Sequence, residues 1–199
     1  MAHQRADGSW AADGETAASP GVAALCTLGL LGAAPDAPRT AAIAKGIGFL
    51  RQHPWMQAGM APAVPARHTL YDHGFATMCL SQAMLLTGDA TLRQELDAAV
   101  RLIVAAQNPQ GGWRYSPMPR DADVSVTATQ LVALHAARQA GIAVPDETIE
   151  RALTYVRSCC NRTAQGGDGG FAYMADAAAG YGSSLASGYA RTAAAAFAL

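Results

Sequence analysis

The feature that most constrains the fold is a short signature that recurs three times. A glutamine is followed by a glycine four residues later and by an aromatic residue six residues later, in the copies Gln4–Trp10, Gln107–Trp113 and Gln165–Phe171. Such recurrence indicates a chain built of repeats of roughly 50–58 residues, if a degenerate copy lies near Gln52–Trp55. The repeats are predicted at roughly 11–54, 55–113, 114–171 and, incompletely, 172–199.

Between the signatures, two kinds of helix alternate. The first kind carries almost no charge and is predicted near 20–32, 72–87, 125–141 and 187–199. Ser19 and Pro20 open the first of these, with serine as the N-cap and proline at the first helical position. Helices that are apolar on all sides must be buried on both sides, so we expect them to form an inner layer.

The second kind is amphipathic, with apolar residues recurring on one face. These faces are Ile43, Ile47 and Leu50; then Leu92, Leu96, Val100 and Ile103; then Ile149, Leu153 and Val156. The alternation predicts an all-α protein of stacked αα-hairpins, about three and a half repeats in one domain over 1–199, arranged as a ring segment or an open solenoid. We expect the remainder of a ring, or a second copy of the chain, to cover the apolar edges.

Composition narrows the functional classes. The formal net charge is −1 and lysines and arginines are scattered, so no electrostatic footprint for nucleic acid is present. No signal peptide and no transmembrane segment are predicted. The four cysteines form no CxxC pair, which favours buried free thiols in a reducing compartment such as the cytoplasm and predicts neither a metal nor another cofactor. Peripheral contact with a membrane stays open.

The glutamine-to-aromatic turn after an outer helix, alternating with apolar inner helices, resembles the repeat of squalene/oxidosqualene cyclases and protein prenyltransferase β-subunits. The resemblance extends over essentially the whole chain. It implies an α/α-toroid whose inner helices surround an apolar cavity for an isoprenoid chain, of which this sequence would supply a part.

Within that resemblance, the segment from Asp121 to Ser125 is the strongest catalytic candidate. Class II terpene cyclases carry Asp-x-Asp-Asp-Thr-Ala, whose middle acid protonates an alkene or epoxide. The resemblance implies Asp123 as proton donor and Asp121 as its polariser, although Val124 stands where the motif has its last acid. Protonation of an alkene requires a carboxyl kept protonated in a dry pocket.

A structural alternative explains the same acids as helix caps. Asp123 or Ser125 is a natural N-cap, and acids are favoured at helix N-termini by the macrodipole. The segment Asp13–Ala17 offers acids in what we take to be the corresponding part of the first repeat.

A second group of candidates lines the predicted cavity. Tyr71, Asp72 and His73 open an inner helix, where an imidazole beside a carboxylate could relay protons or bind a metal. The alternative is that Asp72 caps its own helix and His73 bonds locally. His135 could line the cavity or lie in the core, and Tyr115 could offer its ring to a carbocation or pack a turn.

Three functions therefore stay open. The first is a terpene or squalene cyclase-like isomerase with an apolar cavity, and the second is a non-catalytic scaffold that binds a protein or lipid. A protein prenyltransferase β-like function is less favoured, because Asp168 is not followed two residues later by the cysteine that a zinc site of that kind needs.

Overall fold

A computed structural model describes residues 3–11, 18–52, 69–117, 120–161, 167–175 and 186–199. Within these ranges the regular structure is helical, apart from an isolated antiparallel bridge between Cys160 and Phe171. The helices are α1 (Pro20–Leu31), α2 (Ala37–Gln52), α3 (Thr69–Thr87), α4 (Arg93–Ala105), α5 (Val124–Gln139), α6 (Asp146–Ser158) and α7 (Tyr189–Ala198), with a 3-10 turn at Ala90–Leu92. The predicted all-α class is confirmed.

Two of the helix starts follow from local sequence. Ser19 adopts an extended conformation before α1, and its hydroxyl accepts a hydrogen bond from the amide of Val22 at 3.3 Å. Asp123 does the same before α5, where its Oδ1 accepts from the amide of Val126 at 2.8 Å. Both predicted caps are confirmed, because each side chain satisfies an amide that the helix leaves without an internal partner.

The helices pack in an alternating order. Helices α1, α3, α5 and α7 contact one another in that sequence, and α2, α4 and α6 pack on α1, α3 and α5 respectively. The core lies between these elements. Its fully buried large apolar side chains are Leu50, Leu70, Leu80, Leu92, Leu96, Ile103, Trp113, Val124, Val126 and Leu134.

The sequence predicts that the uncharged helices are buried on both sides, and this prediction is wrong. Leu25 of α1 is 48% exposed and Leu86 of α3 is 57% exposed. The reason is geometric, since α2, α4 and α6 cover only one side of these helices. The amphipathic pattern of α4 is confirmed, with Leu96 and Ile103 buried and Arg101 exposed.

The first two glutamine turns share one set of contacts. The side-chain amide of Gln4 donates to the carbonyl oxygens of Gly8 at 3.1 Å and of Ala42 at 2.8 Å. Gln107 likewise donates to Gly111 at 2.8 Å and to Thr148 at 2.9 Å. Since Ala42 belongs to α2 and Thr148 to α6, each glutamine fastens its own turn to the outer helix that follows.

The turn glycines are required at two of these positions. Gly8 and Gly111 have φ values of 90° and 92°, in the left-handed region that disfavours side chains. A Cβ on either would also collide with a backbone carbonyl of the same outer helix, at Lys45 and Arg151 respectively. Close approach of the turn to the next helix therefore depends on glycine.

The third turn has a backbone hydrogen bond from Asn161, a residue that precedes the predicted span Gln165–Phe171. In the second turn the amide of Asn108 donates to the carbonyl of Gly112 at 3.0 Å, and in the third the amide of Asn161 donates to that of Gly170 at 2.7 Å. Asn161 is therefore equivalent to Asn108, and Cys160 occupies the position of Gln107. Gln165 lies outside the described residues, as does the predicted degenerate copy from 53 to 55.

Candidate functional site

The carboxyl of Asp123 is fully buried at the N-terminus of α5. While Oδ1 caps the helix, Oδ2 accepts a hydrogen bond from the hydroxyl of Tyr173 at 3.2 Å and lies 3.9 Å from Nε of Arg114. Burial raises the pKa of Asp123, and the amide of Val126, the Tyr173 hydroxyl and the Arg114 charge oppose that rise in part. The result is a desolvated acid with both oxygens engaged.

Aromatic rings adjoin this acid. The hydroxyls of Tyr115 and Tyr173 are hydrogen-bonded at 2.5 Å, and the Tyr115 ring lies 6.1 Å from the ring of Tyr71. Tyr71 in turn stacks on Phe75 at 6.3 Å. Burial raises the pKa of both Tyr71 and Tyr173. Of the predicted cavity residues, Tyr71 and Tyr115 are thus brought together with Asp123.

Arg114 joins the two predicted acids. Its Nη1 pairs with Oδ2 of Asp121, and its guanidinium carbon lies 5.3 Å from the ring centre of Tyr115 and 5.8 Å from that of Tyr173. These distances suit cation–π contact. Sequence reasoning missed Arg114, because its contacts with Asp123 and Tyr173 depend on the fold. Arg114 therefore links the carboxyl of Asp121 to that of Asp123. We call Asp123, Tyr173, Tyr115, Arg114 and Asp121 the closed cluster.

The residue equivalent to Asp123 in the first repeat is a serine. The amide of Ser19 donates to the carbonyl of Trp10 at 3.4 Å, as the amide of Asp123 does to that of Trp113 at 3.0 Å. The acids of Asp13–Ala17, which we had aligned with Asp123, lie outside the described residues. Ser19 and Asp123 therefore share the property of capping a helix with the side chain.

The contacts of Asp72 and His73 reach two different neighbouring helices. Oδ1 of Asp72 accepts from the amide of Gly21 at 3.0 Å and from the hydroxyl of Ser19 at 3.4 Å, at the N-terminus of α1. Asp72 therefore caps the neighbouring helix α1, where the dipole also favours a carboxylate. His73 is buried on another side of α3, and its Nε2 donates to the carbonyl of Ala99 in α4 at 3.0 Å.

A groove of about 840 Å³ is lined by residues of α1, α3, α5 and α7, together with Ile149 and Leu153 of the outer helix α6. We call it the inner groove. Its main apolar residues are Leu28, Met78, Leu86, Leu131, Val132 and Phe197. His135, predicted as a cavity residue, is exposed and lines this groove. Asp123, Tyr71, Asp72, His73 and Tyr115 are absent from its lining.

Backbone contacts align α3 with α5. The amide of Leu70 at the start of α3 donates to the carbonyl of Tyr115 at 3.1 Å, and the amide of Val124 at the start of α5 donates to that of Tyr173 at 2.9 Å. Tyr115 comes two residues after Trp113, just as Tyr173 comes two residues after Phe171 in the next turn. Leu70 and Val124 are therefore equivalent.

A side-chain contact aligns α5 with α7. The amide of Trp113 donates to the hydroxyl of Thr127 at 3.1 Å, and that of Phe171 donates to the hydroxyl of Thr192 at 3.0 Å. With Ser19 equivalent to Asp123, all four helices can be superposed residue by residue. One repeat position then holds Leu28, Met78, Val132 and Phe197. All four line the inner groove, where they form an apolar layer across the four helices.

The described residues include free thiols but no cluster of metal ligands and no membrane-spanning helix. The part of the chain that the structure describes contains no group of three or more His, Cys, Asp or Glu residues able to hold a metal ion. The four cysteines are free thiols, and burial raises the pKa of Cys79 to about 12 and that of Cys159 to about 11. Among the described helices, none has the length and apolar character needed to cross a membrane.

Comparison with known proteins gives no match to this chain among family models, curated proteins or solved structures.

Proposed function

We propose that this chain is a segment of an α/α-toroid and that its inner groove binds an isoprenoid-type chain. The alternating helix contacts and the glutamine turns that bind the next outer helix support the architecture. The observation that carries the ligand proposal is the apolar layer of Leu28, Met78, Val132 and Phe197, one residue from each helix of the inner row.

The groove suits a long, flexible hydrocarbon. Its volume of about 840 Å³ falls within the roughly 300–1,000 Å³ typical of small-molecule sites. Aliphatic side chains and one phenyl ring offer few directional contacts, so affinity must come from apolar area. Each methylene transferred from water contributes about 0.8 kcal/mol. A polyprene chain adds enough methylene and methyl groups to offset the loss of its own conformational freedom.

Equilibrium dialysis with radiolabelled farnesol tests the proposal. Leu86→Asp introduces a charge into the groove lining, and Leu25→Asp is the matched control because Leu25 is a similarly exposed leucine of the inner row outside that lining. We expect Leu86→Asp to weaken binding at least about tenfold, since a carboxylate against an apolar chain is desolvated without a partner. Leu25→Asp should bind like the unaltered chain. No binding by the unaltered chain, or equal losses in both variants, would contradict the proposal.

A second candidate function is acid-initiated cyclisation of a polyprene by Asp123. It is favoured by the raised pKa of a fully buried carboxyl bordered by tyrosine rings, which can stabilise a carbocation. Two features oppose it. Val124 replaces the neighbouring acid of the cyclase motif, and both oxygens of Asp123 already accept hydrogen bonds.

Incubation with squalene and with oxidosqualene, followed by mass spectrometry of the extracts, distinguishes these functions. Cyclic products that disappear in Asp123→Asn would support the acid role. If the linear substrate is recovered unchanged although the chain binds farnesol, the result would support a non-catalytic scaffold that holds its lipid in the inner groove.

A further inference from the structure

We infer that the occupant of the inner groove is an uncharged amphiphile of the prenyl-alcohol class, whose hydroxyl is bound by Gln82, His135 and Gln139. This inference rests on the proposed ligand site, and it concerns the polar end of the groove rather than its apolar layer.

The lining of the groove changes from apolar to polar along α5. Leu131 and Val132 are followed one turn later by His135 and another turn later by Gln139, and all four line the groove. Residues four apart share one face of a helix, so His135 and Gln139 are neighbours. On α3, Gln82 is equivalent to Ala136 of α5 and therefore lies at the level of His135. These polar side chains, which we call the polar rim, border the apolar layer on its C-terminal side, and Leu86 of α3 lies one turn beyond Gln82.

The charge at this rim is balanced. Arg138 is the only lysine or arginine among the described residues of the groove lining. Its Nη2 donates to Oδ1 of Asp146 at 2.7 Å and to the carbonyl oxygen of Val144 at 3.0 Å. A diphosphate is usually held by several cationic side chains, and a single arginine already paired with a carboxylate does not supply them.

The polar rim matches a hydroxyl in hydrogen-bonding capacity. A glutamine amide both donates and accepts, and a neutral imidazole does so through its two nitrogens. A hydroxyl donates once and accepts twice, so it can bond to all three of these side chains at the same time. A hydrocarbon that reached this level would desolvate Gln82 and His135 without replacing their bonds to water.

Three probes with the same fifteen-carbon skeleton test this head-group assignment: farnesol, farnesyl diphosphate and the hydrocarbon farnesene. We expect farnesol to bind about three- to tenfold more tightly than farnesene, the ratio that a net hydrogen bond or two supplies. Farnesyl diphosphate should bind no more tightly than farnesol. A diphosphate preference of tenfold or more, or equal binding of farnesol and farnesene, would overturn the assignment.

The double variant Gln82→Leu with His135→Leu identifies the residues. Both side chains are at least partly exposed, so the fold should tolerate the change. We expect the farnesol-to-farnesene ratio to fall to about one, with farnesene binding unchanged or tighter. Gln94→Leu, at an exposed position of α4 outside the groove, is the control and should keep the ratio. A retained ratio in the double variant overturns the inference alone, whereas failure of every probe to bind overturns the groove proposal itself.

Discussion

The closed cluster lies at the N-terminus of α5 and in the turns beside it, whereas the inner groove is lined mainly by the helices themselves, and the two regions obey opposite rules. In the closed cluster a fully buried carboxyl is hydrogen-bonded to a helix amide and a tyrosine, beside an arginine. In the inner groove, Leu86 and Phe197 are 57% and 78% exposed. Polar groups are sealed at the helix starts, while apolar groups face water further along. The comparison suggests that this repeat separates the region that holds the fold together from the region that meets a ligand.

Physical chemistry explains the division. A polar group taken out of water is tolerated when its hydrogen bonds are replaced, as they are for Asp123 and for the indole nitrogen of Trp113, which donates to the carbonyl of Ile103 at 2.7 Å. Exposed apolar side chains gathered on one surface mark an interaction site rather than a stabilising one. Changes in the closed cluster should therefore alter stability, and changes in the groove should alter binding.

Replacing one buried aromatic residue next to the closed cluster and one aromatic residue of the inner groove gives the largest expected contrast. Trp113 is fully buried, and Trp113→Ala should lower the free energy of unfolding by about 3–5 kcal/mol. Phe197→Ala removes a ring that is mostly exposed and should change it by no more than about 0.5 kcal/mol. Urea denaturation followed by circular dichroism measures both values. Similar losses in the two variants would remove the distinction between the regions.

Two turn glycines test how much the close packing of the second turn on α6 contributes to stability. Gly111→Ala should cost about 2–5 kcal/mol, because the left-handed conformation disfavours a side chain by about 1–2 kcal/mol and the added carbon meets the Arg151 carbonyl. Gly169 also has a positive φ, of 70°, but open space around it, so Gly169→Ala should cost only about 1–2 kcal/mol. Thermal melts of the two variants test this, and equal costs would mean that close packing on α6 contributes nothing.

The parts of this arrangement that depend on neighbouring residues were predictable from the sequence. The glutamine turn, the cap at Ser19 and the alternation of helix types all follow from spacings within one segment. The third turn was not, because spacing alone matched Gln165, whereas the backbone hydrogen bonds run from Asn161 to Gly170. An insertion inside a turn leaves no mark in a pattern of single residues.

Contacts between helices were the part of the candidate site that the sequence did not predict. Asp72 contacts the N-terminus of α1, and this requires the register of two helices that the sequence does not contain. Tyr71 and Tyr115 lie beside Asp123 and not in the lining of the inner groove, and this placement depends on the same register. The apolar layer of the groove emerges only when all four inner helices are aligned through their backbone contacts.

Removing the acid tests whether the closed cluster is first of all a helix cap. Asp123→Ala leaves the Val126 amide and the Tyr173 hydroxyl without their acceptor, and should cost about 0.5–2 kcal/mol. Asp123→Asn keeps an oxygen for the cap and should leave stability nearly unchanged. Ser19→Ala, at the equivalent position of α1, is the matched control and should lose a similar amount to Asp123→Ala. Full stability of Asp123→Ala in chemical denaturation would contradict the capping role.

The smallest expected effect is the pH dependence of that same acid. Because burial holds the pKa of Asp123 above its ordinary value of 3.8, the folded chain keeps this proton at pH values where the unfolded chain has lost it. Ionisation of the buried carboxyl therefore lowers the free energy of unfolding. This loss is complete at pH values above the pKa of the folded chain, and it disappears as the pH falls through that pKa towards 3.8. Unfolding free energies of the unaltered chain and of Asp123→Asn, compared at neutral pH and near pH 4.5, should therefore shift in favour of the unaltered chain on acidification. A shift in favour of Asp123→Asn would mean that the ionised carboxylate, held by Arg114, is the stabilised form, and the closed cluster would then be an ion pair rather than a sealed acid.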